Sequence, residues 1–477
     1  MESTDSYEIV IGLEVHVQLA TKSKAFCGDP NLFGAAPNSQ VSVISLGHPG
    51  TLPRINEAQI EAGIKLGLAL GSTFPDTVSF DRKNYFYTDL PKGYQITQDR
   101  APLCQGGYLP IRLGDQLKKI RIHHVHLEED AGKSIHDQLE AHSLIDLNRA
   151  GVPLLEIVTE PDLRSGEEVD AFMTAVRQLV RYLEISDGHM EQGSLRCDVN
   201  VSVRKKDNPQ YGERCEVKNL NSMKFARQAI AFESKRQISL LESGKPVISQ
   251  TRQFHPENGS TSLLRSKEEA PDYRYFPEPD MPPVKLHAEQ IDTLRVQQVA
   301  LPWDLYTEFQ KCGLSAEAAR QLSESRHVAA YFQACLDATD APVNLANILI
   351  QRILPEFPDL EGYPLQAAQL CALEAVVSSK EITAAAAFQN LLPAWVQAPE
   401  KKLSELIDQL ELKSDAPLRE LEGILRKVVA GHPKEALLYR NGNTKLFGFF
   451  MGKAMRETGK KADPQTITAL LKAILEA

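Results

Sequence analysis

The segment EIVIGLEVHVQL, residues 8–19, alternates between apolar and polar side chains with the period of a β-strand. One face of this predicted strand is wholly apolar and carries Ile9, Ile11, Leu13, Val15, Val17 and Leu19. The other face carries Glu14, His16 and Gln18. Alternation of this kind is typical of antiparallel sheets that are buried on one side only. We therefore predict a sheet whose polar face displays Glu14 and His16.

The same alternation recurs in two later segments, SLRCDVNVSVR at residues 194–204 and RCEVKNL at residues 214–220. Their polar faces carry Asp198 and Glu216. If the three strands are neighbours, these carboxylates converge with Glu14 and His16 on one surface. Oxygen-rich ligands with a single histidine suit Mg²⁺ or Mn²⁺. The alternative is that these residues form the solvated side of half-buried strands, and the pattern alone favours neither interpretation.

The segment HHVHLEEDAGKS, residues 123–134, contains two further patterns that suggest binding sites. Its ending resembles a phosphate-binding P-loop, but that motif requires a glycine five positions before Gly132, where the chain has Leu127. A P-loop is therefore excluded. Its histidines and acids are compatible with a metal site or with a solvated strand end.

Aromatic and cationic residues are interleaved in SFDRKNYFYTDLPKGYQITQ, residues 79–98. Cations beside flat rings suit a nucleotide or the single-stranded end of an RNA. The same residues could instead pack a long loop, and their spacing does not distinguish the two.

The composition indicates a globular protein with several domains. The chain has 477 residues, a net charge of −10 and seven scattered cysteines. No apolar run approaches the roughly 20 residues that a membrane span needs. Scattered cysteines are typical of a reducing compartment, so we expect a cytoplasmic protein without a membrane partner. The negative charge argues against overall attraction to nucleic acid, although a local basic surface remains compatible with it.

A proline-dense segment, YFPEPDMPPVKL at residues 275–286, separates two kinds of sequence. Before it, strand and helix patterns are mixed; after it, helical spacing dominates. We predict an α+β domain with a largely antiparallel sheet at residues 1–290, an all-α domain at 291–405, and a small all-α tail domain at 406–477.

Seven motifs occur in the order found in one known family: IGLEVHVQL, FDRKNYFYTDLPKGYQITQ, LEEDAGKS, DLNRAGVPLLEIVTEPD, GSLRCDVNVSVR, EVKNLNS and DYRYFPEPD. Over its entire length the chain resembles the B subunit of the bacterial tRNA-dependent amidotransferases, the GatB family. The resemblance implies a cradle-shaped α/β domain followed by a helical domain and a tail. It also implies a ligase that uses ATP to amidate glutamate mischarged on tRNA(Gln), or aspartate mischarged on tRNA(Asn), through an acyl phosphate. The implied partners are the mischarged tRNA and, in a heterotrimer, a glutaminase (the A subunit) with a small C subunit that joins the two.

The resemblance also assigns roles to individual residues. It implies a Mg²⁺ and kinase site at Glu14, His16, Glu129, Asp198 and Glu216. It places Lys83 at the mouth of an ammonia channel with Glu129 as its partner. Glu156, in the DLNRAGVPLLE motif, is an additional candidate. A cationic cluster in the tail is expected to contact the tRNA backbone: Arg440, Lys445, Lys453, Arg456, Lys460 and Lys461.

The chain departs from the family where many relatives carry a zinc site. Of the expected cysteines only Cys27 is present, and the other positions hold Asp29, Ser42 and Ser45. One thiolate does not make a tetrahedral zinc site, so we expect no zinc.

Two other functions compete with the amidotransferase hypothesis. An RNA-binding scaffold would position tRNA for its partners, but it would need no convergent acids. A free-standing metal-dependent hydrolase would act without partner or tRNA, and no zinc-hydrolase motif is present.

Overall fold

The computed structural model describes residues 6–114, 116–135, 142–218, 220, 222–266, 272–413, 418–458 and 464–476. The chain forms two compact units, Met1–Trp303 and Asp304–Ala477. The first unit combines a large mixed sheet with helices, and the second is helical. This agrees with the predicted order of an α+β region followed by a helical one. The finer division at residues 290 and 405 stays a prediction.

The first unit contains sixteen described strands, most of them short. They are β1 Tyr7–Gln18, β2 Thr77–Val78, β3 Asp81–Asn84, β4 Tyr94–Thr97, β5 Cys104–Gln105, β6 Tyr108–Leu113, β7 Gln116–Glu129, β8 Lys133–Ile135, β9 Leu144–Asp146, β10 Pro153–Thr159, β11 Leu195–Lys205, β12 Cys215–Lys218, β13 Gln250–His255, β14 Ser260–Ser266, β15 Phe276–Pro277 and β16 Val284–Lys285. Four helices accompany them: α1 Glu57–Leu70, α2 Gly166–Tyr182, α3 Met223–Glu242 and α4 Ala288–Val296.

Nine strands form the main sheet, in the order β14-β13-β12-β11-β1-β10-β7-β5, with β6 also paired to β7. The pairing of β12 with β13 is parallel, and the other pairings of this sheet are antiparallel. β1 lies at the centre of this order, between β11 and β10. Three short sheets, β15-β3-β4, β16-β2 and β8-β9, complete the unit.

One face of β1 is buried in the hydrophobic core and the other is polar. Leu13, Val15 and Val17 are buried in the same core cluster as the apolar stripe of α2. The α2 helix begins where the Ser165 side chain accepts a hydrogen bond from the Glu168 backbone N–H. Because side chains alternate along a strand, burial of this face leaves Glu14 and His16 on the opposite side.

From Pro302 onward the described chain is helical. Its α-helices are α5 Pro302–Lys311, α6 Ala316–Leu322, α7 Arg326–Leu336, α8 Pro342–Ile348, α9 Ala367–Ser378, α10 Ala384–Ala386, α11 Leu392–Gln397, α12 Leu403–Gln409, α13 Leu418–Ala430, α14 Pro433–Arg440, α15 Phe447–Glu457 and α16 Pro464–Glu476. Leu425, Phe450, Ile467 and Leu471 belong to a separate hydrophobic cluster formed by the last of these helices. Within the described residues, no helix combines the length and apolar character needed to cross a membrane.

The buried side chain of Gln59 joins helix α1 to strands β7 and β10 of the main sheet. Gln59 is 1 % exposed, and its Nε2 donates to the carbonyl oxygens of Glu128 at 2.9 Å and Leu154 at 3.2 Å. Those carbonyls belong to β7 and β10. Gln59 therefore fixes the helix against the two strands that carry Glu128 and Glu156.

We predict that Gln59→Leu lowers the free energy of unfolding by about 1–3 kcal/mol, because buried acceptors lose their donor while the volume is nearly retained. Glu61→Gln, on the same helix, removes only the exposed pair with Lys65 and should cost at most about 0.5 kcal/mol. Urea denaturation followed by circular dichroism checks both variants. Equal effects of the two substitutions would contradict this role of Gln59.

Candidate functional site

Strand register brings the polar residues of five strands onto one face of the sheet. Glu14 of β1 lies opposite Asp198 of β11, and Asn200 of β11 lies opposite Glu216 of β12. On the other side of β1, His16 lies opposite Glu156 of β10. Glu156 is in turn opposite His126 of β7, two residues from Glu128. These polar residues form two clusters.

The first cluster, which we call the acidic triad, consists of Glu14, Asp198 and Glu216. One carboxylate oxygen from each lies within 4.8 Å of the others. Asn200 Nδ2 donates to Glu14 Oε1 at 3.0 Å and so orients that carboxylate. The Nζ atom of Lys218 lies 2.7 Å from both Asp198 Oδ2 and Glu216 Oε1. A cation therefore already bridges two of the three acids.

The electrostatics of the acidic triad favour a further positive charge. Burial raises the pKa of Glu14, and the neighbouring carboxylates of Glu156, Glu216 and Asp198 raise it further. Burial also opposes ionisation of Glu216, but Lys218 outweighs it and lowers the pKa of that carboxyl. Glu14 is thus the acid whose negative charge lacks compensation. Carboxylate oxygens in this number suit Mg²⁺, whose charge would stabilise the ionised form of Glu14.

The second cluster, the histidine–carboxylate cluster, consists of His16, Glu128 and Glu156. Their ligand atoms also lie within 4.8 Å of one another. His16 Nε2 is 3.2 Å from Glu156 Oε2 and 3.6 Å from Glu128 Oε1. His126 Nε2 approaches the same carboxylates, at 3.2 Å from Glu156 and 3.7 Å from Glu128. An imidazole with two carboxylates is a ligand set that divalent cations accept.

The carboxylates raise the pKa values of two neighbouring histidines, His126 and His16. Burial lowers the pKa of His126, but the charges of Glu156 and Glu128 outweigh burial and raise it to about 10. Burial likewise lowers the pKa of His16, and Glu156 reverses that effect. The pKa of His124 is lowered to about 4 by burial and by its histidine neighbours. His124 is therefore neutral at pH 7, and its Nε2 accepts from His126 Nδ1 at 3.1 Å.

Glu129 does not lie on this face of the sheet. It directly follows Glu128 in β7, so the two side chains point to opposite faces. Glu129 is buried, forms an ion pair with Lys92 and accepts from the Ile96 backbone N–H at 2.9 Å. The structure therefore brings together four of the five predicted ligands in two adjoining clusters, and it offers Glu128 where Glu129 was expected.

Lys83 lies in β3, opposite Gln95 of β4. Burial lowers its pKa, but the carboxylates of Glu128 and Glu156 outweigh burial and raise it. The predicted ion pair between Lys83 and Glu129 is absent from the described contacts, since Lys92 pairs with Glu129 instead. Lys83 is thus electrostatically linked to the histidine–carboxylate cluster.

Sequence reasoning did not identify Glu128, Lys218 and Arg196 as site residues. Arg196 of β11 lies opposite His16, and its terminal nitrogen donates to Asp130 Oδ2 at 2.6 Å. Its Nε is buried without a hydrogen-bond partner among the described residues. Alternation already placed Arg196 and Lys218 on the polar face, but no motif marked them as functional. A buried donor without a partner is a signal that only a three-dimensional structure provides.

The predicted cationic cluster of the tail is only partly available for binding. Arg440 Nε donates to the Leu475 carbonyl at 2.9 Å, so its guanidinium stabilises the end of α16. Lys453 Nζ lies 5.8 Å from the centroid of the Phe449 ring. Lys445 and Arg456 lie at either end of the segment that contains α15. The remaining two predicted contacts, Lys460 and Lys461, lie outside the described residues.

Hydrogen bonds join the four positions at which the sequence analysis considered a zinc site. Asp29 accepts from the Ser42 backbone N–H at 2.8 Å and from the Ser45 hydroxyl. Cys27 Sγ lies 3.3 Å from Ser45 Oγ. The four positions therefore do lie close together, and a carboxylate joins their backbone and hydroxyl groups.

Known proteins match this chain over nearly its entire length. Residues 9–292 match the family described as the GatB/GatE catalytic domain, and residues 330–475 match the family described as the GatB domain. A protein from Anaeromyxobacter sp. (strain Fw109-5) is 43% identical over 475 residues, which cover 98% of each chain. One from Thioalkalivibrio sulfidiphilus (strain HL-EbGR7) is 44% identical over 477 residues, covering 98% of this chain and 100% of the relative. Both are named as the B subunit of aspartyl/glutamyl-tRNA(Asn/Gln) amidotransferase.

We predict that His126 remains protonated in the folded, metal-free protein up to about pH 10. Because this pKa exceeds the unfolded value of about 6.5, the stabilisation is complete below pH 6.5 and is lost as the pH rises towards 10. The loss of stability in His126→Asn should therefore be largest near pH 6 and shrink at higher pH. Urea titrations with a chelator present measure it.

A matched control for this prediction is His255→Asn. His255 lies 3.4 Å from the exposed Glu257, and exposed pairs contribute little to stability. A destabilisation by His126→Asn that does not change between pH 6 and 10 would contradict the predicted protonation.

Proposed function

The chain belongs to the GatB/GatE family of amidotransferase subunits, and on this premise we propose that its polar sheet face activates an amino acid carried by tRNA. As a member, it is a subunit of an aminoacyl-tRNA amidotransferase, an enzyme of the ligase type. The proposed substrates are glutamate on tRNA(Gln) and aspartate on tRNA(Asn), the specificities that the relatives' names state. The products are the corresponding amides.

The proposed reaction has two steps. An oxygen of the side-chain carboxylate attacks the γ-phosphorus of ATP, and the bond between that phosphorus and the ADP oxygen breaks. Ammonia then attacks the acyl carbon, the bond to the phosphate oxygen breaks, and the nitrogen loses a proton. Inorganic phosphate and the amide remain. Activation is needed because a free carboxylate would have to expel oxide, which is a very poor leaving group.

The observation that carries this proposal is the convergence of Glu14, Asp198 and Glu216 around a position of uncompensated negative charge. This acidic triad fits Mg²⁺, and the histidine–carboxylate cluster would take a second divalent cation if the ion displaced the proton that Glu156 favours on His16. Such ions, when bound, neutralise the phosphate oxygens of ATP. Phosphoryl transfer depends mainly on positioning and on charge stabilisation, so an acid-lined surface that gathers cations supplies its main requirement.

Side chains of this face complete the proposed site. Lys218 bridges Asp198 and Glu216, from where its ammonium can face a phosphate group. The Arg196 guanidinium, whose terminal nitrogen lies 2.6 Å from Asp130 Oδ2, adds a positive charge to this face that would attract an anionic phosphate oxygen. Asn200 keeps Glu14 oriented through its 3.0 Å hydrogen bond. These residues position charge and need not react themselves.

Partner proteins belong to the proposal as well. A glutaminase (the A subunit) would supply ammonia and a small C subunit would join the complex, which agrees with the relatives' description as the B subunit. Lys83 stays the proposed residue at the entry of ammonia, and Glu128 is the acid that contributes most to raising its pKa. In the tail, Lys445, Lys453 and Arg456 remain proposed contacts for the tRNA backbone.

We predict that Asp198→Asn lowers the rate of ATP-dependent amide formation by about 100-fold or more, since it removes one charge that holds the cation. The affinity for mischarged tRNA should be unchanged. Asp162→Asn is a matched control, because the Asp162 and Asp198 side chains are 17% and 20% exposed and each is ion-paired. The measurement is formation of amidated tRNA by the assembled enzyme. Loss of tRNA binding without loss of chemistry would favour the scaffold function instead.

A further inference from the structure

Three histidines in the second half of β7 form a continuous row, which we call the histidine row: His123, His124 and His126. His123 Nδ1 lies 2.7 Å from His124 Nδ1, and His124 Nε2 lies 3.1 Å from His126 Nδ1. The ring planes of His124 and His126 are within 24° of parallel, and their centroids are 5.2 Å apart. The proposed phosphoryl transfer uses neither His123 nor His124, so it does not explain the row.

The backbone of β7 directs these three rings towards one another. His124 and His126 are two residues apart on a strand, so their side chains point to the same face. His123 is an extra residue at a β-bulge, because the register with β10 shifts between Ile122 and His124. A bulge redirects a side chain, and here the His123 ring lies edge-to-face against His124 with the centroids 5.0 Å apart. The row is therefore a product of strand geometry.

Hydrogen bonds determine which nitrogen of each ring carries a proton. His124 is neutral at pH 7, because burial and the neighbouring His126 and His123 lower its pKa to about 4. Its Nε2 accepts from His126 Nδ1, so its own proton is on Nδ1 and is donated to His123 Nδ1. His126 Nε2 points the other way, towards Glu156 Oε2 at 3.2 Å. One proton therefore lies between the facing nitrogens of His124 and His126.

The position of that proton is suited to a metal ion. Two ligand nitrogens that lie about 2.1 Å from one ion, at right angles, are about 3.0 Å apart. The separation of His124 Nε2 and His126 Nδ1 is 3.1 Å, so little movement is needed. The other nitrogen of each ring already has a hydrogen-bond partner, which is His123 for His124 and Glu156 for His126. Histidines that bind metals almost always have such a partner, since it fixes the ring and makes the ligand more basic.

We propose that His124 Nε2 and His126 Nδ1 bind a divalent transition ion of the kind that prefers imidazole, such as Cu²⁺, Ni²⁺ or Zn²⁺, with water completing its coordination. The ion forms a bond with each nitrogen lone pair. The Nδ1 proton of His126 passes to solvent, whereas the Nε2 proton stays with Glu156. Mg²⁺ prefers oxygen ligands, so this ion differs from the one proposed for the acidic triad. Its binding requires neither ATP nor tRNA and is independent of the proposed function.

Exposure and charge both favour a cation at this position. His123 is exposed, His124 is half-buried and His126 is buried, so an ion can reach the facing nitrogens from solvent. The negative charge of Glu156 acts on His124 as well as on His126. That charge would also stabilise a bound ion. Through His126 the ion would in turn be coupled to the histidine–carboxylate cluster.

The test is Cu²⁺ binding to the full chain, with excess Mg²⁺ present to occupy the oxygen-rich acidic triad. We expect one bound Cu²⁺ whose electron paramagnetic resonance spectrum shows coupling to two imidazole nitrogens. His123→Leu removes the hydrogen-bond partner of a ligand and should weaken binding by about 10- to 100-fold. His124→Gln removes a ligand and should weaken binding further. His255→Gln is the matched control, because His255 is also a strand histidine beside a carboxylate, 3.4 Å from Glu257, and should leave binding unchanged.

The spectrum of the wild type tests the site even if a variant folds poorly, which circular dichroism would reveal. Coupling to fewer than two nitrogens in the wild type would overturn the inference. A two-nitrogen spectrum that persists in His124→Gln but disappears in His16→Gln would place the ion in the histidine–carboxylate cluster and would also overturn it. Equal weakening by His124→Gln and His255→Gln would have the same consequence, since the copper would then have no preference for the histidine row.

Discussion

The register between β1 and its two neighbours is the constraint on which the site depends. Val15 and Val17 are buried on one side of β1, so Glu14 and His16 must lie on the other. A slip of one residue would exchange the two faces and place a carboxylate in the hydrophobic core. The packing that stabilises the sheet therefore also determines which acids meet. In this protein the energetics of folding and the geometry of the site have the same origin.

Gathering so many acids has an energetic cost, and the structure offsets it unevenly. Burial raises the pKa of Glu156, but the adjacent His126 and His16 outweigh burial and lower it well below its ordinary value. In the acidic triad Lys218 pairs with Asp198 and Glu216, whereas the pKa of Glu14 is raised by burial and by the neighbouring carboxylates. One cluster is thus neutralised by the protein itself, whereas the other retains repulsion that a bound cation would relieve. This difference is our reason for proposing the acidic triad as the principal Mg²⁺ site.

Much of the sheet face could be predicted from period-two alternation, because a strand that is half buried reveals its polar side directly. Alternation identified β1, β11 and β12, and with them Glu14, Asp198 and Glu216. Alternation could also have distinguished Glu128 from Glu129. Val125 and Leu127 are buried on one face of β7, so Glu128 lies on the opposite face together with His126. The family resemblance had suggested the other residue. The ion pair of Lys92 with Glu129 and the contact of Arg440 with α16 could not be predicted, because they join positions with no common local pattern.

The central claim is that this protein transfers phosphate to the amino acid carried by tRNA. The most direct test is ATP cleavage by the enzyme assembled with its proposed partner subunits, with Mg²⁺ and ammonium, in the presence of Glu-tRNA(Gln), Asp-tRNA(Asn) or the same tRNAs uncharged. We predict cleavage that only a mischarged tRNA stimulates, with one phosphate released for each amide formed, and the tRNA that stimulates it identifies the substrate. Cleavage that is absent, or that does not depend on the amino acid, would contradict the assignment of the polar sheet face as the activating site.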